Sequence, residues 1–271
     1  MSVPAVSVLM SVYNGAPWVR DAVTSVLAQQ LTDLELIVID DGSSDATPDV
    51  LASIRDPRLR LERRARQGLT RALNRAIELA HGPLLARLDA DDLALPERLT
   101  LQCRYLDAHP EVGLLGTAAR EVDAAGREIA VIRPPVEDAT IRRALIRANP
   151  FVHSSVIVRR AVLDRAGGYD PSFPVAQDYD LWMRLARVTR LANLDEPLVI
   201  RRLAPGRVSA VRDDDRLRAE ARVRWRAVRS RDYPWWCAVF ALRPLTALAL
   251  PAACRRAIRG PTRMDGASRQ V

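Results

Sequence analysis

Three apolar runs of strand length, VSVLMSV (6–12), LELIVID (34–40) and LLARL (84–88), dominate the first hundred residues, and each ends in a polar cluster: SVYNG, DDGSSDAT and DADD. Between them, Trp18–Gln29 and Leu69–Ala80 recur apolar at helical spacing, the second through Leu69, Leu73, Ile77 and Ala80. Continuous apolar strands alternating with amphipathic helices predict a mostly parallel α/β sheet buried on both faces. Leu59–Glu62 and Val112–Thr117 supply two further strands. In an open parallel sheet ligands bind outside the carboxyl ends of the strands, so the three clusters are read as the walls of one crevice. No G-x-G-x-x-G or G-x-x-x-x-G-K follows any strand, which counts against a dinucleotide or P-loop phosphate site.

At 271 residues and 48% hydrophobic, the chain can bury a full core as one large or two fused domains. The regular alternation holds to about Asp107, where a soft boundary is placed between 1–107 and 108–200. Beyond residue 120 the pattern loosens: EVDAAGREIAV reads as a hairpin and VHSSVIVRR as another strand. The N-terminal apolar stretch lacks a cationic n-region and runs into a polar turn, so it reads as a first strand and not as a signal peptide. Cys103, Cys237 and Cys254 are odd in number, far apart and without metal-ligand spacing, which suits reduced thiols in a cytosol.

LLARLDADDLALP packs Asp89, Asp91 and Asp92 into four positions directly after an apolar strand. Like charges this close need a counter-charge to stay ionised. A hard divalent cation, Mg²⁺ or Mn²⁺, supplies one and is typically shared between one or two carboxylates and substrate phosphate oxygens. The alternative is a solvated acidic loop capping a helix near Pro96. DDGSSD by itself is ordinary turn chemistry, with Ser44 or Asp45 placed to cap the next helix.

Taken together, VSVLMSVYNGAPWVRDAVTSVLAQQLTDLELIVIDDGSSDAT, QGLTRALNRAIELAHGPLLARLDADD and QDYDLWMRLA resemble the family 2 inverting glycosyltransferases with the GT-A fold, in order and spacing, over roughly residues 4–200. The resemblance implies a GT-A-like nucleotide-binding sheet in 1–107, a mixed acceptor-binding half in 108–200, and a nucleotide-diphosphate-sugar donor with Mn²⁺ or Mg²⁺. By that match Ser11 and Tyr13 line the nucleotide pocket, Asp41 receives the base, and Arg71 lies near base and phosphates. Asp89 and Asp91 form the D-x-D motif, Asp91 toward the metal and Asp89 toward the ribose. Asp178 is the base that deprotonates the acceptor hydroxyl, with Gln177 where the family usually has Glu, and His153 contacts the donor diphosphate or the acceptor. Chemistry agrees at two points. A carboxylate accepts the imide N–H of uracil or thymine, for which adenine has no counterpart, so Asp41 favours UDP or dTDP; and a metal offsets charge on a departing diphosphate. Arg75, one turn from Arg71, reads equally well as a plain surface arginine, Asp180 as part of a helix's first turn, and Trp182 as core.

All 41 basic residues are arginine. Residues 1–200 carry 24 of them against 27 acids, whereas 201–271 carry 17 against 6, an excess of 11 on the C-terminal segment. A nucleic-acid reader places its basic stripe on the folded binding surface, so nucleic acid is not expected as a partner. An arginine-rich helical tail over 201–271 suits an anionic membrane surface better. Within it Trp235–Leu242 and Leu245–Cys254 flank Arg243 and Pro244; each is too short to span a bilayer, which takes about 20 residues. The expectation is an interfacial contact through 233–259, at the inner face of the cell membrane, beside a glycan or lipid-linked acceptor; the alternative is that these runs pack back onto the catalytic domain or against a second copy. Two other classes stand as alternatives. A sugar-nucleotide nucleotidyltransferase needs a Gly- and Arg/Lys-rich phosphate loop that MSVYNGAPW lacks, and a non-enzymatic arginine-rich binder is disfavoured because residues 1–200 are not basic.

Overall fold

The computed structural model describes residues 3–203 and 213–248. Among the described residues nine strands form one sheet, in the spatial order 59–63, 34–40, 6–12, 84–87, 157–159, 112–122, 190–202 and 93–94, with 128–132 paired to 112–122. Strands β1 (Val6–Val12), β2 (Leu34–Asp40), β3 (Leu59–Arg63) and β4 (Leu84–Arg87) are parallel, as the apolar runs predict. The later strands are mixed: β8 (Ile157–Arg159) is antiparallel to β4 and to β6 (Val112–Val122), while β6 and β9 (Arg190–Arg202) are parallel. β5 (Leu93–Ala94) and β7 (Glu128–Ile132) pair antiparallel at the margins.

Side-chain alternation divides the central strands between two cores. Val8, Met10, Leu36 and Val38 pack on α1 (Val19–Leu27) and α4 (Arg98–Ala108), and Leu9, Ile37 and Ile39 pack on α3 (Leu69–Leu79) and α7 (Gln177–Leu185). The smaller helices are α2 (Thr47–Ala52), α5 (Asp138–Leu145) and α6 (Arg160–Ala166). The soft boundary at 107/108 falls in the last turn of α4, and the sheet continues through β6, β8 and β9.

Two expectations about elements change. VHSSVIVRR is not one strand: His153–Ser155 form a turn of 3-10 helix, and only Ile157–Arg159 pair in the sheet. Hydroxyls draw the backbone away from the ladder there, Ser155 donating to the Val152 carbonyl at 2.9 Å while accepting the Thr117 N–H at 3.0 Å. The strand expected to stop at Thr117 runs to Val122 because it pairs with the 13-residue β9, whose charged sequence has no apolar alternation. Pro197, which cannot donate to a ladder, sits opposite Ala118 where the register shifts on both sides. EVDAAGREIAV forms the expected hairpin, turning at Asp123–Arg127.

The C-terminal segment is helical as expected: α8 (Asp213–Arg229), a 3-10 turn (Trp235–Cys237) and α9 (Ala238–Leu248). α9 runs through Pro244, which lacks the N–H that would reach the Phe240 carbonyl. Arg224 of α8 donates to that carbonyl at 3.1 Å instead. Among the described residues no helix is long and apolar enough to cross a membrane. Residues 249–259 of the expected membrane contact lie outside the described residues.

Candidate active site

Parallel pairing brings the polar clusters together. Val12 lies opposite Asp40 and Leu9 opposite Arg87, so the ends of β1, β2 and β4 open at one edge of the sheet, and the Asp41 N–H closes onto the Val12 carbonyl at 2.9 Å. Half of DDGSSDAT is indeed turn chemistry. Asp45 accepts from the Thr47 N–H at 2.9 Å and from Ala16 N–H at 3.2 Å, while Thr47 and Ser43 accept the N–H groups of Gly15 and Asn14, each at 2.9 Å. These bonds stitch the first two loops, and against the upward push of burial the Thr47 contacts hold the Asp45 carboxyl below its usual range.

Asp41 behaves differently. It is 4% exposed, and its two oxygens accept the backbone N–H groups of Gln67 and Gly68 at 2.8 Å each. Those donors lie at the start of α3, where the helix dipole favours negative charge. Each oxygen keeps a lone pair for a further donor. The pinned loop also carries Arg66, whose guanidinium lies 3.8 Å from the centroid of the Tyr13 ring and bonds its hydroxyl at 3.1 Å. Gly42 (φ +81°) permits this packing, since a Cβ there would stand 2.8 Å from Arg66 N. Ser11 is half-buried near the end of β1 and Tyr13 is exposed. Arg71 is exposed on the first turn of α3, whereas Arg75 is bound to Glu62 (2.9 Å) and Glu78 (3.0 Å) and is a surface ion pair.

The carboxylates of DADD are built into one nest. Oxygens of Asp89, Asp91 and Asp92 come within 4.8 Å of one another. Asp89 is ion-paired with Arg87, a buried arginine that also binds the Leu9 carbonyl at 3.2 Å. The Ser154 hydroxyl donates to Asp89 at 2.7 Å and also reaches Asp92. Asp92 is fully buried and accepts the Arg202 N–H at 3.0 Å, which ties β9 to the nest. Burial, with Asp89 and Asp91 alongside, pushes its carboxyl up to about 7. Three carboxylates within mutual reach form an all-oxygen donor set that fits a hard divalent cation.

α7 contributes Asp178 one residue after its start, behind Ala176, a non-glycine residue at φ +55°. Asn149 donates to Asp178 at 2.7 Å and accepts the Phe151 N–H at 3.1 Å. His153 lies within electrostatic reach of both Asp178 and Asp89. Burial lowers its pKa, reinforced by Arg87, while Asp178 and Asp89 oppose the shift. Its Nε2 bonds the Tyr169 hydroxyl at 2.8 Å, and burial raises that phenol above its usual range. Asp180 points inward, bound to Arg184 and Arg226 at 2.8 Å each, and Trp182 is 1% exposed core. Asn149, Ser154, Tyr169 and Arg87 were not singled out from sequence. A polar Arg inside LLARL and the polar residues flanking His153 in NPFVHSS were the only signals.

The chain is similar to known proteins in sequence and in fold. The profile described as Glycosyl transferase family 2 matches residues 7–167. The amylovoran biosynthesis glycosyltransferase AmsE of Erwinia amylovora is 32% identical over 199 residues, covering 71% of this chain and 74% of its own. An uncharacterized glycosyltransferase of Haemophilus influenzae is 29% identical over 221 residues, covering 77% of this chain and 68% of its own. Among solved structures, S. aureus TarS in complex with UDP-GlcNAc superposes with a TM-score of 0.65 at 22% identity, over 80% of this chain and 66% of that one. The mannosyltransferase PcManGT of Pyrobaculum calidifontis, in complex with GDP-Man and Mn²⁺, gives 0.64 at 23% identity, over 95% of this chain and 80% of that one. At these identities the structural likeness shows the fold, which is GT-A-like.

Proposed function

This chain belongs to glycosyl transferase family 2, and from that premise we propose that it is an inverting enzyme moving a sugar from a UDP- or dTDP-sugar to a hydroxyl of a glycan or lipid-linked acceptor. The observation that carries the reading is that Asp41 and the DADD nest lie at the ends of neighbouring strands, with His153 within electrostatic reach of both Asp89 and Asp178. In the proposed roles Ser11 and Tyr13 flank the nucleoside and Asp41 takes the base N–H on a free lone pair, with Arg71 beside the phosphates. Asp91 and Asp89 hold the cation, Mn²⁺ or Mg²⁺, whose contribution is to offset charge on the leaving diphosphate. Ser154 and Arg87 hold Asp89 in place for this.

On the acceptor side Asp178 takes the hydroxyl proton as the oxygen attacks the anomeric carbon from the face opposite the diphosphate, so one displacement inverts the centre. Asn149 occupies one Asp178 oxygen and leaves the other for that proton. His153, kept neutral by burial and fixed by Tyr169, is placed to contact the diphosphate or acceptor. The enzyme is proposed to work at the inner face of the cell membrane, on envelope polysaccharide, with residues 1–107 serving the donor and 108–200 the acceptor.

A hydrolysis screen of nucleotide sugars with Mn²⁺ or Mg²⁺, read as released nucleoside diphosphate, tests the reading. Release from UDP- or dTDP-sugars is expected, and it should stop on adding EDTA. Guanine also offers a ring N–H to a carboxylate, so release from GDP-sugars alone would overturn the pyrimidine assignment. Release unaffected by EDTA would overturn the metal role.

A further inference from the structure

Deepening the membrane placement proposed above, the geometry points to one face of α9 and its preceding turn as the contact, and to an anionic lipid surface as its occupant. Trp235, Trp236, Val239, Leu242 and Leu245 are 83%, 57%, 58%, 55% and 45% exposed. From Trp236 onward they recur every third residue, over the half of the turn and helix that faces away from Cys237, Ala241 and Pro244. The opposite side, Cys237, Ala241 and Pro244, is buried against the protein. The exposed stripe is therefore not a core face left uncovered by accident of packing; α9 is apolar on both sides, one of them facing solvent. Two adjacent tryptophans at its start have the amphipathic shape that suits headgroup depth.

The arginines of α8 and α9 separate into two sets. Arg216, Arg218, Arg222, Arg224 and Arg226 are bound to the protein, to Asp213 and Glu220, to Asp215, to Ser172, to Glu220 and Tyr179, and to Asp170 and Asp180. Arg229, Arg231 and Arg243 are exposed and, among the described residues, have no side-chain hydrogen bond or ion pair. Arg243 follows Val239 by one turn and Trp236 by two, so it borders the apolar stripe. After Leu248 the chain continues for 23 residues with Arg255, Arg256, Arg259, Arg263 and Arg269 against Asp265 alone. An apolar stripe edged by unpaired arginines matches acyl chains below anionic phosphates. A second copy of the chain fits poorly: a two-fold contact sets the same patch against itself and would bring Arg243 toward its own copy without a carboxylate to receive it.

The test is flotation of the full chain with vesicles of phosphatidylcholine alone or with 30% phosphatidylglycerol. The wild type is expected to float with the anionic vesicles and to stay at the bottom with neutral ones. A triple variant, Trp235→Ser, Trp236→Ser and Leu242→Ser, should bind at least tenfold more weakly. Arg243→Glu alone should cost about fivefold or more, the contribution of one arginine near a charged surface. Unchanged thermal melting and nucleotide-sugar hydrolysis in solution establish that each variant is folded. Equal flotation with both vesicle types, or a triple variant that floats like wild type, overturns the inference. So does a wild-type dimer in sedimentation that the triple variant abolishes. Flotation and hydrolysis are read separately, so failed docking with intact hydrolysis sinks this inference alone, and docking without hydrolysis sinks the proposed activity alone.

Discussion

Asp178 and Asp180 stand two residues apart on α7, and the proposal gives Asp178 the chemistry while Asp180 is tied into the fold, which makes Asp180→Ala the most exposed prediction. The Asp180 side chain is 2% exposed and accepts from Arg184 and from Arg226 at 2.8 Å each. A hydrogen bond to a charged group contributes about 1.5–3 kcal/mol, which bounds the loss at about 6 kcal/mol. Both arginines retain other partners after the change: Arg184 the carbonyls of Ala166 and Gly168, and Arg226 the Asp170 carboxylate at 3.0 Å. Neither cation is stranded, so the expected loss falls to about 3 kcal/mol, near the lower end for breaking a buried pair. In a chain of this size that corresponds to a melting temperature lower by about 6–12 °C. Urea unfolding and calorimetric melting measure it, and hydrolysis of the donor at 15 °C should stay within a few-fold of wild type. A loss below about 1 kcal/mol together with abolished turnover would mean that Asp180, not Asp178, faces the chemistry.

Asp178→Asn should reduce turnover by about 100-fold or more while calorimetry finds donor affinity within twofold of wild type, as expected of a group acting on the acceptor proton. Asp91→Ala should instead abolish Mn²⁺-dependent donor binding; equal loss of donor affinity in both variants would refute the division of roles. Asn149→Leu, which removes the bond to Asp178, should lower kcat about tenfold with the donor KM unchanged, and a matching rise in KM would show that it serves the donor instead. Glu35, at the far end of the sheet, gives a pH prediction: burial pushes its carboxyl up, but bonds from Ser7, His81 and Arg60 outweigh that and hold it at about 2 against the ordinary 4.5. A depressed carboxylate stabilises the fold fully above 4.5 and loses that contribution as pH falls through 2, by an order of 2 kcal/mol after solvent screening. Wild type should therefore lose more stability than Glu35→Gln between pH 5 and 2.5 in urea titrations, and parallel curves would refute the assignment.

The first hundred residues were legible because their information is local. β1 and β2 match the predicted spans Val6–Val12 and Leu34–Asp40, since a strand buried on both faces must be apolar throughout and its ends must be polar. β9 escaped because RLANLDEPLVIRR is stabilised by its pairing with β6 and the bulge at Pro197, neither of which leaves a periodic signature. The site divides the same way. The carboxylates of DADD announce themselves by their spacing, whereas Ser154 reaches Asp89 across 65 positions and Asn149 reaches Asp178 across 29. A serine or an asparagine acquires its role only when tertiary structure sets a carboxylate beside it.

Arginine shows how far a charge count carries. The excess of 11 after residue 200 reads as one field directed at an anionic partner, yet much of α8 spends its cations internally. Arg222 bonds Ser172 and lies 4.1 Å from the Phe173 ring centroid, and Arg226 spans Asp170 and Asp180. Those contacts brace residues 170–176, the stretch that delivers Asp178 through the left-handed Ala176. The basic helix is thus a support of the proposed base as much as a surface charge. Among the described residues from α8 to α9, Arg229, Arg231 and Arg243 are left to act on a partner, and Arg243 borders the exposed tryptophans. Formal charge sums all of these alike; what reaches solvent is the remainder after the fold has used its share.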